Sequence, residues 1–225
     1  MNDNEVTGRD MPGLEGTKKR ILDTAEQLFA ERGLEATSIR DITSAAGANL
    51  GAVNYHFASK QALILAVLNR HLKPLNERRL ELLRRAEQAA GDAPASAEAV
   101  LDALIRPLIE GSFAAGEKQT SFIRLMGRSH TESNVEVKNM MRAESQKMIP
   151  RFMAALSRAL PELPPDELPW LLKFVLGALH HSVHSLTREQ SELSPRRKKL
   201  NAEELVRKLV TFAAAGVKAF VPVKT

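Results

Sequence analysis

The stretch Thr37-Ser-Ile-Arg-Asp-Ile-Thr-Ser-Ala-Ala-Gly-Ala-Asn-Leu-Gly-Ala-Val-Asn-Tyr-His-Phe57 constrains the fold more than any other part of the chain. Ile39, Ile42 and Ala46 recur at spacings of three and four, so they share one face of a short α-helix. Thr37 stands where an N-cap would accept a hydrogen bond from an orphan amide. Gly47 stands where a helix stops in left-handed geometry that glycine tolerates. Leu50, Val53 and Phe57 form a buried stripe on a second short helix. Its other side carries Asn49, Gly51, Ala52, Asn54, Tyr55 and His56, small at one end and rich in hydrogen-bonding tips at the other. Such a face can enter a major groove and read base edges. The pattern is a helix-turn-helix.

Side-chain chemistry divides the expected DNA contacts. Asn49, Asn54 and His56 both donate and accept, and Tyr55 can donate to a phosphate or pack on a sugar. Gly51 and Ala52 let the backbone approach, and Ala52 can meet a thymine methyl. Leu50, at the helix start, is counted with this set as well as with the stripe. Ser38, Thr43 and Lys60 flank the reading helix and suit phosphates. For Tyr55 and His56, anchoring of the domain's own core stays open as the other reading. One helix discriminates too little for a genome. A two-fold homodimer placing two such helices about 34–36 Å apart or somewhat further would read a palindromic double-stranded operator.

Composition agrees. Of 225 residues, 44% are hydrophobic but only 4% aromatic, and an aliphatic, Ala- and Leu-rich core favours helices. The formal net charge of +5 is compatible with an acidic partner such as DNA. No cysteine occurs, which excludes disulfides, thiolate catalysis and Cys-based zinc sites. No apolar run approaches the roughly 20 residues of a membrane span, and the first residues do not read as a signal peptide. A cytoplasmic protein with no membrane partner and no cofactor is expected.

The expected fold class is all-α. Residues 1–16 read as a disordered arm, 17–62 as a helix-turn-helix DNA-binding domain, and 63–225 as a helical ligand-binding and dimerisation domain. A helix at about 17–32 buries Ile21, Leu22, Ala25, Leu28 and Phe29. Lys18, Lys19 and Arg20 at its start are either a solvated terminus or phosphate contacts. Ser59 caps a long helix towards Ala86, and Pro74 should kink or break it. That interruption is either a plain break between helices or a joint between a DNA-binding and a sensing end. Gly91 to Ser96 reads as a linker inside the larger domain.

Further helices are expected at Ala97–Ala115, Phe122–Arg128 and Asn134–Leu160, the last bent at Pro150. Those at about 166–187 and 202–220 are apolar on more than one face, which implies a homodimer surface or a central core. His180, His181 and His184 share faces of one helix, but no carboxylate or cysteine completes a set, so no metal is expected. Arg196-Arg-Lys-Lys199 reads as a solvated connector, with a secondary DNA or acidic-lipid contact as the other reading. Phe113, Phe122, Met126, Met141, Phe152 and Phe174 can line an adaptable apolar cavity or form plain core. Arg124 and Arg128 lie among them and suit a carboxylate or phosphate. Together they imply a small-molecule effector of apolar or acyl type, such as a fatty acid or acyl-CoA.

Three segments carry a family resemblance. They are Lys19-Arg-Ile-Leu-Asp-Thr-Ala-Glu-Gln-Leu-Phe-Ala-Glu-Arg-Gly33, Thr37 to Gly47, and Gly51-Ala-Val-Asn-Tyr-His-Phe-Ala-Ser-Lys60. Their order, with Phe-x-Ser-Lys entering a fourth helix, resembles the DNA-binding domain of the tetracycline-repressor (TetR) family over roughly a quarter of the chain. Asn54 departs from the aromatic residue usual there. The resemblance implies a phosphate contact for Lys60, and the wording around the reading helix resembles a branch that includes fatty-acid-metabolism regulators. The expected function is a ligand-responsive repressor, not an enzyme. The alternatives are a helical enzyme, opposed by missing catalytic motifs, and a DNA-binding protein indifferent to sequence.

Overall fold

The computed structural model describes residues 12–114, 135–189 and 200–222. Among them the chain is entirely helical: α1 Pro12–Arg32, α2 Ile39–Ala46, α3 Leu50–Phe57, α4 Lys60–Ala90, α5 Ala97–Ala114, α6 Val135–Ala159, α7 Leu168–Glu189 and α8 Ala202–Lys218. Their packing divides the chain into two units, with the boundary between Val67 and Leu68 inside α4.

In the first unit α1, α2 and α3 pack against one another. Ile21, Ala25 and Phe29 of α1 are fully buried, as are Leu34 and Ile42, with Val53 and Phe57 of α3 nearly so. Helix α1 starts earlier than the expected arm allowed: it already includes residues 12–16. Proline in the first turn explains this, because its fixed φ suits a helix and its missing N–H has no intrahelical partner there anyway. A second correction concerns the start of α2. Ser38, not Thr37, is the N-cap. Thr37 is fully buried and its hydroxyl lies 3.2 Å from the Leu28 carbonyl and 2.8 Å from that of Gly33, closing the end of α1 instead.

The second unit is built round α5, which contacts α6, α7 and α8. Its buried residues include Val100, Leu101, Leu104, Ile105, Leu108 and Ile109, so the helix is nearly all core. Polar side chains fix its partners at the rim. Arg106 is bidentate to Asp102 at 2.8 Å and also reaches Glu203 of α8 at 2.5 Å. Lys218 of α8 bonds Glu98 at 2.5 Å, and Arg158 of α6 pairs with Glu87 of α4. Gly91, at φ 63°, ends α4 in the left-handed region and opens the linker that Ser96 closes by capping α5 at 3.2 Å.

Neither proline breaks its helix. Pro74 lies inside α4 and Pro150 inside α6, and both helices run on through them. Each proline withdraws one N–H from the ladder, yet both are exposed and the residues that follow are held by tertiary contacts. After Pro74 these include the bond from Arg79 to the Leu104 carbonyl and the Arg158–Glu87 pair. The expected helix at Phe122–Arg128 and the Arg196–Lys199 run lie outside the described residues.

Candidate functional site

The helix-turn-helix is held by a chain of caps. The Ser38 hydroxyl accepts from the Asp41 N–H at 3.1 Å, and the Asp41 carboxylate accepts from the Ser38 N–H at 2.8 Å, a closed capping box. The Ser38 hydroxyl, the Ser38 N–H and then Arg32 hold the Asp41 carboxyl below its ordinary value. Gly47 ends α2 at φ 59°, ψ 39°, and the Ala48 N–H returns to the Thr43 carbonyl at 2.9 Å. Asn49 then caps α3, its side-chain carbonyl accepting from the Ala52 N–H at 2.7 Å. A Cβ on Gly51 would sit 3.3 Å from that oxygen, so glycine keeps the cap uncrowded.

Helix α3 turns Val53 and Phe57 inward and leaves a face of Leu50, Gly51, Asn54 and Tyr55 outward. Leu50 is 51% exposed, which corrects its place in the buried stripe and leaves it on the open face. Its position in the first turn, directly after the cap, carries it beyond the contact with α1 and α2. Tyr55 is 74% exposed. His56 is half-buried, its ring edge-on to Tyr55 at 5.1 Å, with Nε2 enclosed and unbonded among the described residues. Ala52 is half-buried.

The flanking residues divide. Ser38 is exposed but engaged in the capping box, and Lys60 opens α4 with its ammonium 3.1 Å from the Glu35 carbonyl, two donors remaining. Thr43 is the correction: it is buried and its hydroxyl donates to the Arg40 carbonyl at 3.1 Å, which removes it from a phosphate's reach. Arg40, on the exposed side of α2, was not singled out from the sequence, where nothing separated it from other surface arginines. The junction after α3 is strained. Ala58 adopts φ 59°, ψ −34°, and the Ser59 N–H bonds the Phe57 carbonyl at 2.6 Å, a tight γ-turn.

Four of the expected effector residues are described, and Phe113 and Phe152 share one core. Phe152 is fully buried in the core of the second unit, Phe113 packs partly buried against that core, and Met141 is half-buried on α6. Phe174 is 61% exposed on the outer face of α7, so it is corrected out of an interior cavity. The α7 residues that turn inward are Leu171, Leu172, Val175 and Leu179, and helical spacing leaves position 174 outside. Phe122, Arg124, Met126 and Arg128 lie outside the described residues. No group of three or more His, Asp or Glu side chains among the described residues is arranged to hold a metal. None of the described helices is long and apolar enough to cross a membrane.

Residues 21–67 match the sequence family described as bacterial regulatory proteins, tetR family. Residues 102–216, slightly more than half of the chain, match the tetracyclin repressor-like C-terminal domain. Over 66 residues the chain is 44% identical to the HTH-type transcriptional repressor KstR2 of Rhodococcus jostii (strain RHA1), covering 29% of this chain and 32% of that protein. Over 120 residues it is 40% identical to the HTH-type transcriptional repressor Rv3405c of Mycobacterium tuberculosis, covering 51% of this chain and 58% of that one. The chain thus spans less than two thirds of the length of these curated relatives. The solved structure of fatty acid degradation regulator FadR from Bacillus halodurans superposes with a TM-score of 0.64 at 17% identity, covering 94% of this chain and 99% of that one. That of KstR2 of Mycobacterium tuberculosis gives 0.62 at 20%, covering 95% and 98%. At those identities the likeness is one of fold. The family and these relatives are regulators, not enzymes. With both its helix-turn-helix and its C-terminal helices matched, the chain belongs to the tetracycline-repressor (TetR) family of bacterial regulatory proteins.

Proposed function

We propose that this protein is a DNA-binding transcriptional repressor that holds a palindromic operator as a homodimer and is released by a small apolar or acyl-type effector. The observation that carries the reading is α3: capped at Asn49, backed by Val53 and Phe57, and presenting Leu50, Gly51, Asn54 and Tyr55 to solvent. A short helix held so firmly from behind is suited to enter a major groove as a rigid unit. Asn54 and Tyr55 are the base- and backbone-reading tips, with Asn49 and His56 at its ends. Ser38 and Lys60 are the phosphate contacts, and Arg40 joins them. The relatives named as repressors support repression, and the neighbour named as a fatty acid degradation regulator supports an acyl effector. A regulator of this kind works in the bacterial cytoplasm, where its DNA is.

The second copy would dock on α7 and α8. Trp170, Phe174, Gly177 and His181 recur at helical spacing along the exposed side of α7. The two rings lie 6.3 Å apart, and the Lys173 ammonium sits 4.4 Å above Trp170. A Cβ on Gly177, or on Gly216 of α8, would meet nothing within 4 Å. Glycine inside a helix costs about 1 kcal/mol relative to alanine, and close approach of another helix would offset that cost. In release, effector binding among the helices of the second unit would bias α4, which runs on into the first unit. The driving force would be the effector's differential affinity for the bound and released arrangements.

The test is binding to the DNA immediately upstream of the protein's own gene, against excess unrelated DNA, followed by genome-wide selection of bound fragments. A saturable, competitor-resistant complex on an inverted repeat is expected. Selected fragments that share no sequence would overturn the reading in favour of a general DNA binder.

A further inference from the structure

Arg79, on α4 in the second unit, is 5% exposed, while its neighbour Arg78 is open to solvent. The Arg79 Nε donates to the Leu104 carbonyl at 2.9 Å, and Nη1 lies 3.3 Å from Asn76 Oδ1. Nη2 is enclosed with no acceptor among the described residues. Asn76 and Arg79, one turn apart, are the only buried polar side chains described in this unit. Every acceptor of the guanidinium is neutral, whereas Arg84, Arg85, Arg106 and Arg158 each meet a carboxylate. Burial alone pushes the Arg79 guanidinium down to about 10, which leaves it charged at neutral pH.

A buried cation without a counter-charge is strongly unfavourable. Tethering α4 to the Leu104 carbonyl would need only a neutral donor, so the protomer itself gives no use for the charge. The surroundings limit what could. Leu75, Leu80, Leu83, Leu104, Ile105 and Leu108 all belong to the apolar cluster of this unit. Arg79 is the one cation buried among the described residues, and a single negative charge matches it.

We propose that Arg79, positioned by Asn76, receives the carboxylate of an apolar organic acid and so forms the polar end of the effector site. The proposal rests on the reading of the protein as an effector-released regulator and names the effector's chemical class. The edge of the guanidinium carrying Nη2 binds the carboxylate oxygens, and the leucine-rich cluster takes the hydrocarbon tail.

The experiment titrates the full chain with straight-chain carboxylates from butyrate to palmitate, with the matching alcohols, and with inorganic phosphate, by calorimetry and thermal shift. At least one acid is expected to bind about tenfold or more tightly than its alcohol, and phosphate alone is expected not to bind. Arg79→Gln should lose roughly 10- to 100-fold for the acid and several-fold less than that for the alcohol. If Arg79→Gln fails to fold, judged by circular dichroism, the acid-against-alcohol comparison on the wild-type chain decides. Equal affinity for acid and alcohol, no binding across the series, phosphate binding as tight as the acid, or undiminished acid binding by a folded Arg79→Gln would overturn the proposal. Operator binding by the ligand-free protein is measured in parallel. Specific DNA binding without acid binding removes this inference alone, while acid preference without specific DNA binding removes the regulator reading and leaves the carboxylate site.

Discussion

Truncating Phe174 to alanine should separate the protomers while leaving each one folded. The ring is 61% exposed on α7, so within one protomer it contributes little to the core. A phenylalanine side chain carries about 200 Å² of surface, and the exposed share is therefore about 120 Å². At about 25 cal/mol per Å², covering it against a second copy contributes about 3 kcal/mol. Alanine keeps part of that contact, so the loss is about 2 kcal/mol per ring and about 4 kcal/mol in a two-fold dimer that uses both. The dimer dissociation constant should rise roughly a thousandfold. Sedimentation equilibrium over a concentration series reads this directly, with a urea titration alongside to compare protomer stability at concentrations where both proteins are monomeric. Operator binding should fall in step, because one reading helix holds only half a palindrome. A Phe174→Ala protein that stays dimeric at the wild-type dissociation constant would refute the docking face. A large fall in monomer stability would refute the premise that the ring lies outside the protomer's core.

Other substitutions test the first unit. Asn54→Ala and Tyr55→Ala should each keep fold and dimer but weaken specific operator binding by roughly 1–3 kcal/mol per lost base contact, read by competition gel shift; wild-type affinity in both would mean α3 is not the reading helix. Gly47→Ala meets no neighbour, so its cost is the left-handed backbone alone, about 1 kcal/mol of unfolding free energy in urea; an unchanged or raised midpoint would contradict the assigned geometry. Ala58→Gly should raise stability by about 1 kcal/mol, because relief of the strained turn outweighs glycine's extra chain entropy; a lowered urea midpoint would show that the turn is not strained. Asp41 has a carboxyl held below its ordinary 3.8 by the Ser38 hydroxyl and N–H. Its contribution is therefore fully present above that value and lost as pH falls through the lower folded one. The stability gap between wild type and Asp41→Asn should be flat above about pH 5 and shrink on further acidification, and a gap that widens in acid would refute the capping box.

Local spacing alone determined the helix-turn-helix. Apolar periods of three and four, a glycine at the turn and good capping residues are properties of neighbouring positions, and they suffice to place α2, α3 and Gly47. The same local logic located α5 and α7 and marked Asn54 and Tyr55 as outward tips. What it lacked was any measure of what lies opposite each residue. Thr37 and Ser38 are both competent caps, and the choice fell to the carbonyls at the end of α1, Gly33 above all, which take the Thr37 hydroxyl and leave the cap to Ser38. Thr43 and Leu50 depart from their expected environments, the first buried and the second open to solvent.

Pro74 reads as a kink or a break, yet α4 continues unbroken, with contacts from α5 and α6 holding the turns beyond it. Arg78 and Arg79 are indistinguishable as letters. One helical step of about 100° puts the first in water and the second against the Leu104 carbonyl. Periodicity is a one-dimensional property and the sequence carries it whole. Burial, pairing and an uncompensated charge depend on elements far apart in the chain, and only their packing decides them.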